Sequence, residues 1–543
     1  VGKLNLISVA FAILFVGIAV DFAIQFSVRF RAQAQPDGSS PGLLDALERT
    51  GNETGHQILV AAMATSAGFL AFTPTAFVGV AQLGLIAGFG MLFAFICTLT
   101  LLPALLRLFR PTAGHGRMGF TFARPVDHAI RRHRWPILAV FVVIALVGLG
   151  LTPRLTFDAD PLHTKNPKSE GMVTLGMLMS EPQYSPYTVD VLLPNLDQAA
   201  AMSERLSSLP LVHDALWLGS LVPSDQKTKL PLIQDAASLL LPTLVVPNPK
   251  PAPDAAELRA AAARTAAALG GVLDQLPAND PLRRIQSALA HLSKADDQRV
   301  LATNEALVRF LPMQLDMLRG MLQAKPVTIA DVPAQLAHDY LLPDGRALVE
   351  VHPSHEMQGN RALHTYVDEI RKVAPMAAGS AIDIVQSAAT MVHAFVTAAG
   401  AAIVMIAIIL SVALRRLLDT ALVLAPLLLS ALMTVILIIV VPEQLNFANI
   451  IALPLLLGVG VSFNIYFVMN WRAGIKLPLS SPTARAVLFS ALTTGTAFGS
   501  LAASHHPGTA SMGRLLLLSL GCTLVATLVF VPALLPKRSI DAE

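Results

Sequence analysis

The chain has 543 residues, of which 54% are hydrophobic and only 14% charged, against roughly 25% charged in ordinary soluble domains. Mean hydropathy is +0.60 and the formal charge is +3, which argues against a soluble globular protein and against a nucleic-acid partner. Cys97 and Cys522 both lie in long apolar runs, so they point to neither a disulfide framework nor a thiolate metal site.

A bilayer core about 30 Å thick takes roughly 20 apolar residues in a helix, because every backbone amide must find its partner within the segment. Nine segments meet that requirement, at 4–28, 57–73, 79–107, 136–152, 394–414, 418–441, 446–470, 484–503 and 512–535. The first follows Val1 with no initiator Met and no signal-peptide pattern. An N-terminally incomplete chain is expected. Arg107, Arg110, Arg117, Arg124, Arg131, Arg132 and Arg134 crowd one connection, opposed only by Asp127, which makes that loop cytoplasmic by the positive-inside rule. Arg29 and Arg31, Arg415 and Arg416, Arg472 and Lys476, and Lys537 and Arg538 follow alternate helices and agree. The segment 153–393 is then expected outside, together with the "TPTAF" and "SHHPG" turns.

That outer segment has mixed α/β character. "YTVDVLL" from Tyr187 alternates as a strand, 195–208 reads as a helix, and "VHDALWL" from Val212 as a second strand. "GRALVEV" from Gly345, a helix over 361–373 and "AIDIVQ" from Ala381 repeat that order, the pattern of a split βαβ sandwich. A helical insertion over about 225–340 separates the two units, with "VVPNPKPAPD" from Val245 as a stiff linker and Pro312 expected to break or kink a helical run.

The membrane segments contain an internal duplication. "GIAVDFAIQF" from Gly17 sets against "GVGVSFNIYF" from Gly458, pairing Gly17 with Gly458, Phe22 with Phe463, Ile24 with Ile465 and Phe26 with Phe467, and Asn5 with Asn446 in the same register. Downstream, Thr65, Phe69, Gly84, Pro103, Ala104 and Leu105 align without gaps against Thr494, Phe498, Gly513, Pro532, Ala533 and Leu534. Both copies run in the same direction across the membrane, so the repeat is parallel. If the halves match throughout, three helices and one outer domain are expected upstream of Val1.

Asp21 is the carboxylate set deep in a membrane segment. Holding it ionised there costs a few kcal/mol or more, so a group that alternates between charged and neutral forms can carry a proton; a hydrogen-bonded structural Asp is the plain alternative. Ser462 occupies the equivalent position in the second copy, and Asn464, Thr493, Thr494 and Thr496 are candidate hydrogen-bond donors, each with back-bonding to its own helix as the alternative. Gly17 and Gly458 allow close helix approach. Met391, Phe395 and Met405 are candidates for a greasy substrate path, with plain packing as the commoner role. His393 reads equally as an interfacial residue, and His505 with His506 reads as a solvated turn rather than a metal site. No metal is assigned. The chain lacks GxxxxGK[ST], GxSxG and HExxH patterns, so transport by it would draw on an ion gradient.

The arrangement resembles the resistance-nodulation-division superfamily of proton-driven exporters. "GIAVDFAIQFSVRFR" from Gly17 is similar to that family's fourth membrane helix, whose Gly-xxx-Asp carries the relay carboxylate, and the segment at Gly458 is similar to its tenth. The resemblance implies a polytopic helical membrane protein, with residues 1–110 like helices 4–6, a basic cytoplasmic loop at 111–135, a helix like the seventh at 136–152, a periplasmic α/β domain at 153–393, helices like 8–12 at 394–536 and a cytoplasmic tail at 537–543. It implies Asp21 as proton relay, with Gly17, Ser462, Asn464, Thr493 and Thr494 in support, and no cofactor beyond the coupling proton. "VDFAIQFSVRFR" and the outer domain look more narrowly like the bacterial hopanoid transporters, implying export of a polycyclic lipid from the inner membrane toward the outer membrane. Drug-exporting relatives carry a second Asp and a Lys where this chain has Phe22 and Ser462, and mycolate-exporting relatives pair Asp with Tyr where it has Phe22 and Phe463. A lipid sensor on the plan of sterol-sensing domains and an accessory to protein export are the competing functions. The sequence leaves the oligomeric state open, a homo-oligomer included.

Overall fold

The computed structural model describes residues 6–33, 42–75, 77–110, 119–245, 251–273, 277, 280–354, 359–475 and 477–536. Asn5, Arg117, Lys476, the linker residues 246–250 and the tail at 537–543 lie outside them. In chain order come α1 (Leu6–Ala32), α2 (Leu43–Leu70), α3 (Val78–Leu99), α4 (Leu101–Phe109), α5 (Arg124–Arg132) and α6 (Arg134–Leu151). The extramembrane segment follows, with β1 (Phe157–Asp158), α7 (Glu170–Leu178), β2 (Val189–Leu193), α8 (Leu196–Ser207), β3 (Val212–Leu216), α9 (Gln226–Leu244), α10 (Ala255–Gly270), α11 (Pro281–Leu292), α12 (Asp297–Val308), α13 (Leu311–Leu322), α14 (Ala334–Tyr340), β4 (Ala347–Pro353) and α15 (Gly359–Val373). The chain then returns to long helices: α16 (Ser380–Leu414), α17 (Leu417–Val440), the short β5 (Leu445–Asn446), α18 (Ala452–Arg472), α19 (Pro482–Ala502) and α20 (Pro507–Val525), which runs through a π turn into α21 (Val531–Leu534).

Where they are described, the nine apolar segments are largely helical, the one at 79–107 interrupted at Thr100 and the one at 446–470 helical only from Ala452. Among the described residues, Val78–Phe109, Arg134–Arg154, Ser380–Leu414, Leu417–Val440 and Pro507–Leu534 are long and apolar enough to cross a membrane. Phe89, Phe93, Leu146, Leu149, Ile408 and Val412 are exposed on them, as expected of side chains whose solvent is hydrocarbon. α1 packs on α19 and α18 packs on α2, the two contacts that the duplication makes equivalent. Within each half the third helix closes on the second at a glycine: a Cβ on Gly84 would lie 2.6 Å from the Phe69 carbonyl oxygen, and one on its counterpart Gly513 2.2 Å from the Ala502 backbone nitrogen. Neither distance admits a side chain, so this approach of the backbones requires glycine in both halves.

In the extramembrane segment β2, β4 and β3 form a sheet in that order, and α8 and α15 follow β2 and β4. The fourth strand expected at Ala381 does not form. Ala378 makes a single antiparallel bridge to Asp190, Gly379 turns the chain at φ +110°, and residues from Ser380 begin the 35-residue α16. The six-residue window "AIDIVQ" fits a strand, but Ala381, Ile382, Ala388, Met391, Phe395, Ala398 and Ala402 are buried at helical spacing, and that longer period prevails. A separate compact unit comprises Leu192–Ser203 and Leu216–Val349 and holds helices α9–α14. There α10 packs on α11 and α12, and α9 on α13. Asp254 caps α10 through the Glu257 amide, and the helical run breaks between Val308 and Leu311, as expected of Pro312, which stands in the first turn of α13, the position where a missing N–H costs nothing.

Candidate functional site

The seam between the two repeats brings together Gly17, Asp21, Ser462 and Thr494 of the sequence candidates. Thr494 Oγ1 on α19 donates to the Gly17 carbonyl of α1 at 2.9 Å, and Thr65 Oγ1 on α2 donates to the Gly458 carbonyl of α18 at 3.1 Å. These are the same bond made twice, since Thr65 aligns with Thr494 and Gly17 with Gly458. One turn along from each glycine the symmetry breaks. α1 presents Asp21, α18 presents Ser462, and Ser462 Oγ donates to Asp21 Oδ2 at 3.0 Å. Both side chains are 4% exposed.

The Ser462 hydroxyl also lies 2.9 Å from the Val459 carbonyl of its own helix. It has one hydrogen, so it serves either the carboxylate or its own backbone. An ionised Asp21 takes that hydrogen; a protonated Asp21 can donate to Ser462 Oγ while Ser462 turns to Val459. Which of the two acceptors Ser462 serves therefore follows the protonation of Asp21. Among the described residues Asp21 Oδ1 has no hydrogen-bond partner, and Ser490 Oγ on α19 sits close to the carboxylate without bonding geometry. No Lys or Arg is bonded to Asp21 among the described residues.

Two of the supporting candidates lie elsewhere. Asn464 Nδ2 donates to the Val423 carbonyl of α17, and Asn464 Oδ1 accepts from Thr527 in the π turn. It is two residues from Ser462, about 200° around a helix, so it faces away from Asp21. Thr493 is exposed and donates to the Phe489 and Ser490 carbonyls of its own helix, and Thr496 donates to the Thr493 carbonyl. Met391 and Phe395 are buried, the latter with its ring centroid 6.0 Å from that of Phe72, while Met405 is 37% exposed. They do not line one surface. The residues that sequence reasoning missed are Gln25, Tyr466 and Ser490, each buried with an unpartnered polar atom. Their signal was available: Gln25 and Tyr466 stand four residues after Asp21 and Ser462 and align with each other in the duplication.

Two charged groupings lie in the extramembrane segment. His352 on β4 is bonded through Nδ1 to Asp214 on β3 at 2.7 Å, with Glu350 Oε1 3.8 Å from its Nε2. Burial pushes the nearby Asp190 carboxyl up from its ordinary value, and the charge of His352 opposes that shift. Beyond the end of α6, His163 Nδ1 is 2.7 Å from Asp158, and Tyr187 donates to Asp160, so burial and these carboxylates push the Tyr187 phenol up.

A duplicated bundle of membrane-spanning helices with a lone buried carboxylate at its seam defines an integral membrane protein with an internal repeat. The chain belongs to the MMPL family, which it matches over residues 3–145 and 261–537. It is similar to Hopanoid transporter HpnN of Rhodopseudomonas palustris (strain TIE-1), being 42% identical over 546 residues that cover 100% of this chain and 62% of that protein. It is also similar to Hopanoid transporter HpnN of Burkholderia multivorans (strain ATCC 17616 / 249), 42% identical over 543 residues, 99% of this chain and 62% of the relative. The chain therefore spans less than two thirds of the length of these curated relatives.

Proposed function

We propose that the protein is a secondary transporter that moves a hopanoid-type lipid out of the inner membrane, driven by protons that bind and leave Asp21. The observation that carries this is the Asp21–Ser462 hydrogen bond at the junction of the two repeats. Asp21 is the buried acid at that seam, and among the described residues its one bonded donor is the Ser462 hydroxyl, which changes partner with its charge. The lipid assignment draws on the two relatives, both named as hopanoid transporters. In this account the loop before α6 faces the cytoplasm, residues 153–393 face the periplasm, and the chain performs no covalent chemistry.

The test is lipid movement in vesicles containing the protein and a hopanoid, with and without an imposed pH gradient. Net movement that follows the gradient supports the proposal. Hopanoid binding with no net movement in either condition would identify a sensor instead.

A further inference from the structure

From Asp21 the seam differs sharply in its two directions. One turn toward the Gly end, Gly17 and Gly458 offer no side chain, and Thr494 and Thr65 close over their carbonyls. A Cβ on Gly458 would already touch the Phe69 ring at 2.9 Å, and Phe69, Phe72 and Phe498 are buried there. At this turn the seam is filled by close packing.

The other direction leads toward the Arg-bearing ends of α1 and α18 and is polar at every turn. α18 carries Ser462, Tyr466 and Asn470 at four-residue spacing, and all three are buried. α1 carries Asp21, Gln25 and Arg29 at the same spacing. Among the described residues Tyr466 Oη and Gln25 Nε2 have no hydrogen-bond partner, although they are 0% and 5% exposed, and Tyr466 is close enough to Asp21 to feel its charge. One turn further, Asn470 accepts from Gln57 on α2 at 3.2 Å and donates to Thr483 on α19 at 2.6 Å. One turn beyond Gln57 on α2 lies Glu53, which is 44% exposed and bonded to Arg29 and Gln33.

Leaving several buried donors unsatisfied is costly, and two such atoms at equivalent positions of the repeat are not an accident of one side chain. A turn of helix rises about 5.4 Å, while a hydrogen bond spans about 3 Å, so one water per turn has the reach to link successive members. Buried water is held by polar groups of this kind. We infer that Gln25 and Tyr466 position the inner half of a proton path, joining Asp21 to the exposed Glu53 by way of Asn470, Gln57 and Thr483. This rests on the proton-carrier role proposed for Asp21. The Tyr466 hydroxyl accepts a proton from water as it passes its own onward, and the Gln25 amide holds the water without titrating. The close packing at Gly17 and Gly458 leaves the Arg-rich side as the direction of this exchange.

The experiment uses the intact protein in vesicles, with the pH stepped on one side at a time. The readout is the infrared band of the protonated carboxyl, assigned to Asp21 by its loss in Asp21→Asn. The band should answer the step on the Arg-rich side, and Tyr466→Phe and Gln25→Leu should slow that answer about tenfold, the effect of losing one hydrogen bond from the rate-limiting transfer. Thr527→Val removes a buried hydroxyl that serves Asn464 off the path, and should leave the rate unchanged. An answer only to the step on the other side, wild-type rates in both path variants, or equal slowing in Thr527→Val overturns the path while leaving Asp21 as a carrier. A band that answers neither step overturns both.

Discussion

Gly513→Ala tests the packing on which the duplicated bundle rests. The added Cβ would stand 2.2 Å from the Ala502 nitrogen and 2.7 Å from both Ala502 Cα and the Leu501 carbonyl carbon. All three atoms are backbone, so no side chain can swing aside, and α19 and α20 must separate by about 1 Å to restore ordinary contact. A gap of about 0.5–1 Å forfeits a quarter to a half of each dispersion contact along the interface. Leu501, Phe498, Leu516 and Leu520 are buried on these two helices, so the loss falls at the upper end of the roughly 1–3 kcal/mol typical of overpacking. Gly521→Ala on the same helix meets nothing within 4 Å, and should be neutral or stabilise by up to about 1 kcal/mol through helix propensity. Reversible unfolding in mixed micelles, read by circular dichroism, compares the two. Equal stability of the two variants would refute the close approach of α19 and α20. Gly84→Ala should behave like Gly513→Ala if the halves are equivalent.

Asp127→Ala removes the carboxylate that accepts from the Leu479 and Ser480 amides and the Ser480 hydroxyl. It should cost about 1.5–3 kcal/mol, and Asp127→Asn less, by the same unfolding measurement. Thr494→Val and Thr65→Val should each cost about 0.6 kcal/mol, the average for a hydrogen bond between membrane helices, and the two losses should match within error because the bonds are repeat equivalents. Asp190 is held above its ordinary carboxyl range by burial, so the fold favours its neutral form. Its contribution is fully present below the unfolded value of about 3.9 and is lost as pH rises through the higher folded value. Asp190→Asn should flatten that decline, read from melting of the intact protein between pH 4 and 7. His352, Asp214 and Glu350 face the same region, so His352→Gln should steepen it by removing the opposing charge.

Much of this architecture is legible in the residues. Gly, Thr and Pro at fixed offsets reveal the repeat, because positions of closest backbone approach tolerate few substitutions. That register alone sets Ser462 opposite Asp21. What the offsets do not convey is helical phase: Asn464 lies near Ser462 in sequence but on another face, and Thr493 precedes the seam-facing Thr494 by about 100° of rotation. Applying the four-residue period from Asp21 and Ser462 identifies Gln25 and Tyr466. The strand expected at Ala381 failed for a related reason, since six residues hold too little of either period to choose between them.

The central claim is that a proton crosses at Asp21 each time lipid is moved. Simultaneous recording of proton flux and hopanoid movement in vesicles, for the wild type and Asp21→Asn, tests it most directly. The account predicts that the two fluxes rise and fall together in the wild type and that both vanish in the folded Asn variant. Hopanoid movement by Asp21→Asn at the wild-type rate would contradict it.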